Sequence, residues 1–222
     1  MSLRDFFPQE IKAIIFDFDG VLVDSMPYHA AAWVEAFAEV GVNMLPEQIY
    51  DIEGSNHIGV IKRIFSGNDM TPSEDQIDSI ADRKRELFFE FDKSKAFAGM
   101  QQCLNDLKST YSLALVSGST RKIVDELVAS FYPETFDVVI SGSDVLNGKP
   151  APDPFLKAMG MLDVSPERCV IVENAPLGVE AAKNAGAFCI AVPTYVDPAT
   201  LKKADIIVAD HSELLRYLYS LL

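Results

Sequence analysis

Six short apolar runs, at residues 13–16, 113–116, 138–140, 169–172, 189–192 and 206–208, constrain this chain more than any other feature. None of them alternates with polar residues, so each predicts a strand buried on both faces. Amphipathic stretches at 121–131, 154–161 and 177–185 lie between them. Buried strands that alternate with helices predict an α/β fold, a doubly wound parallel sheet covered on both sides.

From about residue 27 to 97 that rhythm breaks, and only helical patterns appear. The stretch 28–40 is rich in alanine and aromatics and ends at Gly41, a good C-terminal cap. Thr71-Pro72-Ser73-Glu74 predicts a helix with Thr71 as its cap and Pro72 as its first residue, running to about Phe91. The expected organisation is an α/β core of residues 1–26 plus 97–222, with a helical insertion at 27–96. In open α/β sheets ligands bind beyond the strand C-termini, so an insertion there would form a lid.

An apolar content of 49% is enough to bury a full core. Against 19 Lys and Arg stand 33 Asp and Glu, a formal net charge of -14. Such a surface repels phosphate backbones and anionic lipid, which argues against nucleic-acid and membrane partners. An anionic ligand would then need local cations, helix N-termini or a metal to reverse the field. Cys103, Cys169 and Cys189 are widely spaced among apolar neighbours and read as buried thiols in a reducing compartment. No apolar run reaches the length of a membrane span, and the first ten residues lack a signal-peptide core. A cytoplasmic monomer is expected.

The chemistry-bearing residues sit at strand ends. Asp17 and Asp19 follow the first run, two residues apart and so on one side of an extended chain. Adjacent carboxylates repel unless a cation or a proton lies between them. That suits an oxygen-loving metal such as Mg²⁺, or a nucleophile beside an acid/base. A helix cap is the plainer alternative. A calcium loop is excluded, because Val21, Leu22 and Val23 occupy positions that would need oxygen ligands. Gly20 then allows a sharp turn.

The second run ends in Val116-Ser117-Gly118-Ser119-Thr120, where a hydroxyl and free N–H groups can cradle a phosphate or simply cap a helix. Lys149 lies among Gly148, Pro150 and Pro152, which predicts a fixed ammonium on stiff extended chain, with Asp153 capping the next helix ahead of Pro154. Glu173 and Asn174 end a further strand and offer two oxygen donors.

In this order, DFDGVLVDS, VSGS, GKPAPDPF and VENAPLGVEAAKNAG resemble the four motifs of the haloacid dehalogenase superfamily over nearly the whole chain. The resemblance implies a Rossmann-like core with an α-helical cap, of the β-phosphoglucomutase-like and phosphoglycolate phosphatase-like kind. It assigns Asp17 as a nucleophile forming an aspartyl-phosphate and Asp19 as general acid/base. Ser117 and Lys149 would hold the phosphoryl group. Mg²⁺ would sit against the Asp17 carboxylate, the Asp19 carbonyl and the fourth motif. The second acid, Asp19, argues against dehalogenation. His29 in SMPYHAAAW and Lys84 in the long cap helix are similar to substrate-facing cap residues of the mutase, with Gly118 and Ser119 completing the substrate contacts. Where the mutase has an arginine for a second phosphate, this chain has His57, a poor substitute for a guanidinium fork. Asn174 stands where an acid is usual, which predicts weaker Mg²⁺ binding with Glu173 taking a share.

The function implied is Mg²⁺-dependent hydrolysis of a small phosphorylated metabolite, a sugar phosphate. A β-phosphoglucomutase-like reaction, in which a sugar hydroxyl replaces water, is the second reading. A catalytically degenerate phospho-ligand binder is the third. A receiver-type signalling domain places its aspartate after the third strand and has no inserted lid.

Overall fold

The first strand, β1 (Ala13–Phe16), is wholly buried and lies at the centre of a six-stranded parallel sheet. The structure is a computed structural model that describes residues 7–8, 10–52 and 54–222. After β1 come four helices, α1 (Met26–Glu39), α2 (Pro46–Tyr50), α3 (His57–Gly67) and α4 (Glu74–Phe91). The chain then continues through α5 (Met100–Lys108), β2 (Ser112–Val116), α6 (Arg121–Phe131), β3 (Val138–Ile140) and α7 (Asp153–Leu162). It ends with β4 (Cys169–Glu173), α8 (Pro176–Asn184), β5 (Phe188–Ala191), β6 (Ile206–Ile207) and α9 (His211–Tyr219).

The strand order is β3-β2-β1-β4-β5-β6. This is the doubly wound order, in which the chain reverses direction across the sheet between β1 and β4 and opens a crevice beyond their C-termini. Alternate residues of each strand face opposite layers. Ile14, Phe16, Leu113, Leu115, Val170 and Val172 enter one core, and Ala13, Ile15, Ala114, Val116 and Ile171 enter the other. Burial on both faces explains why the strands read as unbroken apolar runs. The three cysteines are free and buried, as expected.

Most expected elements form with ends shifted by one or two residues, and three starts differ for identifiable reasons. The helix expected from 28 begins at Met26, and Ser25, at its cap position, spends its hydroxyl on Asp19 instead of capping. The helix expected from Pro72 begins at Glu74. Ser73 caps it by accepting from Gln76 N–H, and the Gln76 side chain answers to Ser73 N–H, so the capping box lies two residues later than Thr71. Asp153 is the first helical residue of α7 and not its cap, and it accepts from Asn147 Nδ2. The segment around Lys149 is a turn with Lys149–Pro150 cis, not extended chain. Gly41 and Gly20 both adopt the left-handed φ expected of them, 81° and 84°.

Ile15 is fully buried between the neighbouring strands. Its truncation to alanine removes most of an aliphatic side chain from a layer with no slack, and Ile15→Ala should cost about 2–5 kcal/mol of folding stability in urea denaturation.

Candidate active site

Asp17 leaves the sheet at the crevice, its N–H still donating to Val172 O at 2.9 Å. The turn that follows is tied down locally. Leu22 and Val23 N–H donate to Phe18 O, Gly20 N–H donates to Val23 O, and Tyr132 donates to Leu22 O. This places the Asp17 and Asp19 carboxylates together at the C-terminal edge of the sheet, both buried.

Two polar clusters meet there. In the first, Lys149, only 2% exposed, donates to Asp17 Oδ1 and, at 2.6 Å, to Glu173 Oε1. Glu173 Oε2 accepts from the N–H groups of Asn174 (2.8 Å) and Ala175 (3.1 Å). Gly178, in the first turn of α8, makes this possible, because a Cβ there would lie 1.8 Å from Glu173 Oε1. Burial works against charge on Lys149, but Asp17 and Glu173 outweigh it and hold the ammonium protonated. Burial pushes the Asp17 carboxyl well up. Lys149 opposes that shift, and Glu173 and Asp19 add to it.

In the second cluster Asp19 is fully satisfied. Oδ1 accepts from Ser25 Oγ at 2.6 Å and faces His29 Nε2 at 2.9 Å, and Oδ2 accepts from Ser117 Oγ (2.9 Å) and Ser119 Oγ (3.0 Å). Burial alone would raise its pKa, yet His29 and the hydroxyl donors bring it below the usual carboxylate range. His29 Nδ1 lies 2.6 Å from Lys84 Nζ. The buried ring stays neutral, since desolvation and Lys84 both lower its pKa against the pull of Asp19. Ionised Asp19 can only accept, so Nε2 carries the hydrogen given to it and Nδ1 accepts from Lys84. The ring stacks on Phe88 with centroids 4.1 Å apart, and Lys84 Nζ lies 5.2 Å from the ring centres of Trp33 and Phe88. Lys84 on α4 is thus joined through His29 on α1 to the end of β1.

A cavity of about 60 Å³ separates these clusters from the helices above, lined by Asp17, Asp19, His29, His57, Lys84, Gly118 and Ser119. Gly118 is required because a Cβ would meet Ser55 O at 2.6 Å and Gly54 O at 2.7 Å, so the loop before α3 rests directly on the loop after β2. Every residue singled out from the sequence is therefore at this site. Ser117, Lys149, Glu173 and Asn174 form its floor, and the others line the cavity. Lys84 is buried, not solvated. Sequence reasoning missed Ser25, Trp33, Phe88 and Arg85. Ser25 sat within the first motif but has no periodic relation to Asp19, and the rest are brought in only by packing.

The sequence model of the haloacid dehalogenase-like hydrolase family matches residues 14–192. The chain belongs to that family. Its enzyme relatives are phosphatases and phosphomutases. It is 28% identical over 211 residues to the β-phosphoglucomutase of Bacillus subtilis, covering 92% of each chain. It is 30% identical over 181 residues to a phosphorylated carbohydrates phosphatase of Thermotoga maritima, covering 79% of this chain and 82% of that one. Among solved structures, CbbY from Rhodobacter sphaeroides in complex with phosphate superposes with a TM-score of 0.79 at 28% identity, over 94% of this chain and 99% of that one. No helix among the described residues is long and apolar enough to cross a membrane.

The Lys84 amine carries a stability signature. Burial lowers its pKa from 10.5 to about 7, against the opposing pull of Asp19. Between those values the unfolded chain binds the proton and the folded chain does not, so this group adds stability as pH rises from 7 toward 10. Urea denaturation of the wild type and of Lys84→Met should show the wild type gaining stability relative to the variant across that window. A difference independent of pH would contradict a neutral buried amine.

Proposed function

We propose that the enzyme is a phosphohydrolase of small sugar phosphates that works through an aspartyl-phosphate on Asp17, with residues 27–96 acting as the cap. The observation that carries this reading is the pairing of a nucleophile candidate, Asp17, with a separately satisfied carboxylate, Asp19, both lining one cavity. Asp17 attacks phosphorus and the bond to the leaving oxygen breaks, with Asp19 delivering a proton to that oxygen. Asp19 then takes a proton from water as the water attacks the aspartyl-phosphate, which releases inorganic phosphate and restores Asp17. In the arrangement described Asp19 is ionised, the form needed for the second half. His29 Nε2, against Oδ1, is the donor that can reprotonate it, and Lys84 can resupply His29 at Nδ1. Lys149, Ser117 and Ser119 are placed to neutralise and orient the transferring group, which is most of what phosphoryl transfer asks of a protein.

The residues favour a bound cation. Asp17, Asp19 and Glu173 are three buried carboxylates, against which Lys149 is the ammonium in direct contact with Asp17 and Glu173. Burial raises the Asp17 pKa, Glu173 and Asp19 add to the shift against Lys149, and a nucleophile must be ionised. Among the described residues no three His, Cys, Asp or Glu side chains form a metal cage. The donors on hand are one carboxylate with neutral oxygens, the set that Mg²⁺ takes when it keeps several waters. Mg²⁺ would be held by the Asp17 carboxylate, the Asp19 carbonyl and Asn174, and when bound it would supply charge neutralisation for the phosphoryl oxygens. Glu173, already bonded to Lys149 and two N–H groups, is better read as the support of Lys149 than as a ligand.

A β-phosphoglucomutase-like reaction is the second reading, favoured by the Asp19–His29–Lys84 chain and by the mutase and CbbY likeness. Asp17→Asn keeps side-chain size and removes the nucleophile, so phosphate release from sugar phosphates with Mg²⁺ should fall at least 10³-fold, as expected when a covalent nucleophile is lost, with circular dichroism unchanged. An active variant would overturn the mechanism. Wild-type enzyme given β-glucose 1-phosphate should yield free phosphate, whereas glucose 6-phosphate as product would establish the mutase.

A further inference from the structure

The inserted helices touch the core on both flanks of β1. On one flank they meet the loops after β2 and β3, where a Cβ on Gly118 would lie 2.7 Å from Gly54 O and a Cβ on Gly142 would lie 3.2 Å from Asn56 Cβ. On the other flank Tyr50, the last residue of α2, stacks on Tyr195 in the loop after β5, with ring centroids 5.2 Å apart and planes 15° from parallel. Ile49, Ile52, Gly54 and Ser55, from the same stretch of chain, line the cavity beside Asp17. That cavity is about 60 Å³, against about 300–1,000 Å³ for ordinary ligand pockets, and Asp17 and Asp19 are only 3% and 7% exposed. A ligand with a carbon skeleton therefore reaches Asp17 when the inserted helices move away from the sheet edge.

Two linkers join those helices to the core, and they pair with each other. Asp24 N–H donates to Lys95 O at 2.8 Å, and Phe97 N–H donates to Leu22 O at 3.0 Å. The loop that carries Tyr195 grips the outgoing linker at both ends. Thr194 Oγ1 donates to Gly20 O at 2.6 Å, and the Tyr195 hydroxyl donates to the Asp24 carboxylate. Tyr195 thus meets the hinge with its hydroxyl and the inserted helices with its ring. The contacts on the two flanks differ in kind. Gly118 and Gly142 make close, non-directional packing, whereas a stack and a hydroxyl bond hold one geometry and are lost when the groups separate.

We propose that Tyr195 is the latch of the cap: its ring holds Tyr50, and with it the wall that α2 gives the reaction cavity, while its hydroxyl fixes the linker on which the cap turns. Tyr195 is a positioning residue and touches no reacting atom. It sets the fraction of molecules in which His29 lies against Asp19 and Lys84 lies against His29. The inference rests on residues 27–96 moving as a cap, and it holds whichever phosphate ester the site turns over. An aromatic pair of this geometry shifts an open–closed equilibrium several-fold.

The test reads opening at the cavity itself. Ile123, on the core helix α6, lines the cavity and is 1% exposed, so Ile123→Cys is a thiol that iodoacetamide reaches when the cap opens. In that background Tyr50→Leu and Tyr195→Leu should each speed labelling about fivefold, the loss expected for one aromatic pair. The double variant should label no faster than Tyr195→Leu alone, because both changes break one stack. Tyr50→Phe keeps the stack and should label at the parent rate, and Tyr195→Phe, which keeps the ring and loses the bond to Asp24, should fall between the parent and Tyr195→Leu. The same tyrosine variants without Ile123→Cys report on Cys103, Cys169 and Cys189, which are buried in the core and should label as slowly as in the wild type. Unchanged labelling of Ile123→Cys, additive effects in the double variant, or equal acceleration at the native thiols would overturn the latch. Phosphate release from sugar phosphates is measured separately on the wild type. Its absence alongside latch-dependent labelling would remove the phosphohydrolase reading and leave the latch standing.

Discussion

The Lys149 ammonium, buried between Asp17 and Glu173, is the interaction on which the rest of the site depends. Carboxylates held out of water at a sheet edge repel one another, and without a cation among them the crevice would not close. The fold supplies that cation from a turn between β3 and α7 and holds its partner Glu173 with two backbone N–H groups. Gly178 leaves the space for Glu173 to sit there. Removing one partner of such a buried pair costs about 3–5 kcal/mol, because the other charge is stranded. The Lys149 contacts therefore stabilise the fold and assemble the chemistry together.

The same logic explains why two neighbouring aspartates behave differently. Burial drives the Asp17 carboxyl toward the neutral form, with Glu173 and Asp19 adding to the shift and Lys149 opposing it. Asp19 is surrounded by donors from four places in the chain, Ser25, His29, Ser117 and Ser119, and stays ionised. The shifts are opposite because burial prevails at Asp17, whereas hydrogen-bond donors outweigh burial at Asp19. Two of those donors, Ser25 and His29, lie at the start of α1, and His29 is braced by Lys84 from α4. The state of Asp19 is therefore tied to the position of the helices above it.

Much of this was legible in the sequence. The parallel sheet followed from apolar runs with no alternation, and β1 and β4 show why, since both faces of each are covered. Asp17, Asp19, Ser117, Lys149 and Glu173 could be placed at one edge because strand C-termini in such a sheet share that edge. The helix starts were less legible. Thr71 has Glu74 and Ser73 has Gln76 three positions on, so both offer a capping box by residue type, and the box forms at Ser73.

The sequence by itself determined the order of chemical groups along the chain and the edge on which they meet, because strand periodicity and direction are local properties. Only the tertiary structure decided the charge states and the reach of the site. The sequence places Lys84 on the long cap helix, and only the packing of α1 on α4 leaves it 6% exposed against His29 with its pKa near 7. Thr120 reads as a helix cap, yet in the structure it holds that position with its hydroxyl buried and not used for capping. Desolvation depends on what covers a group, and in this chain the covering residues lie dozens of positions away from the groups they bury.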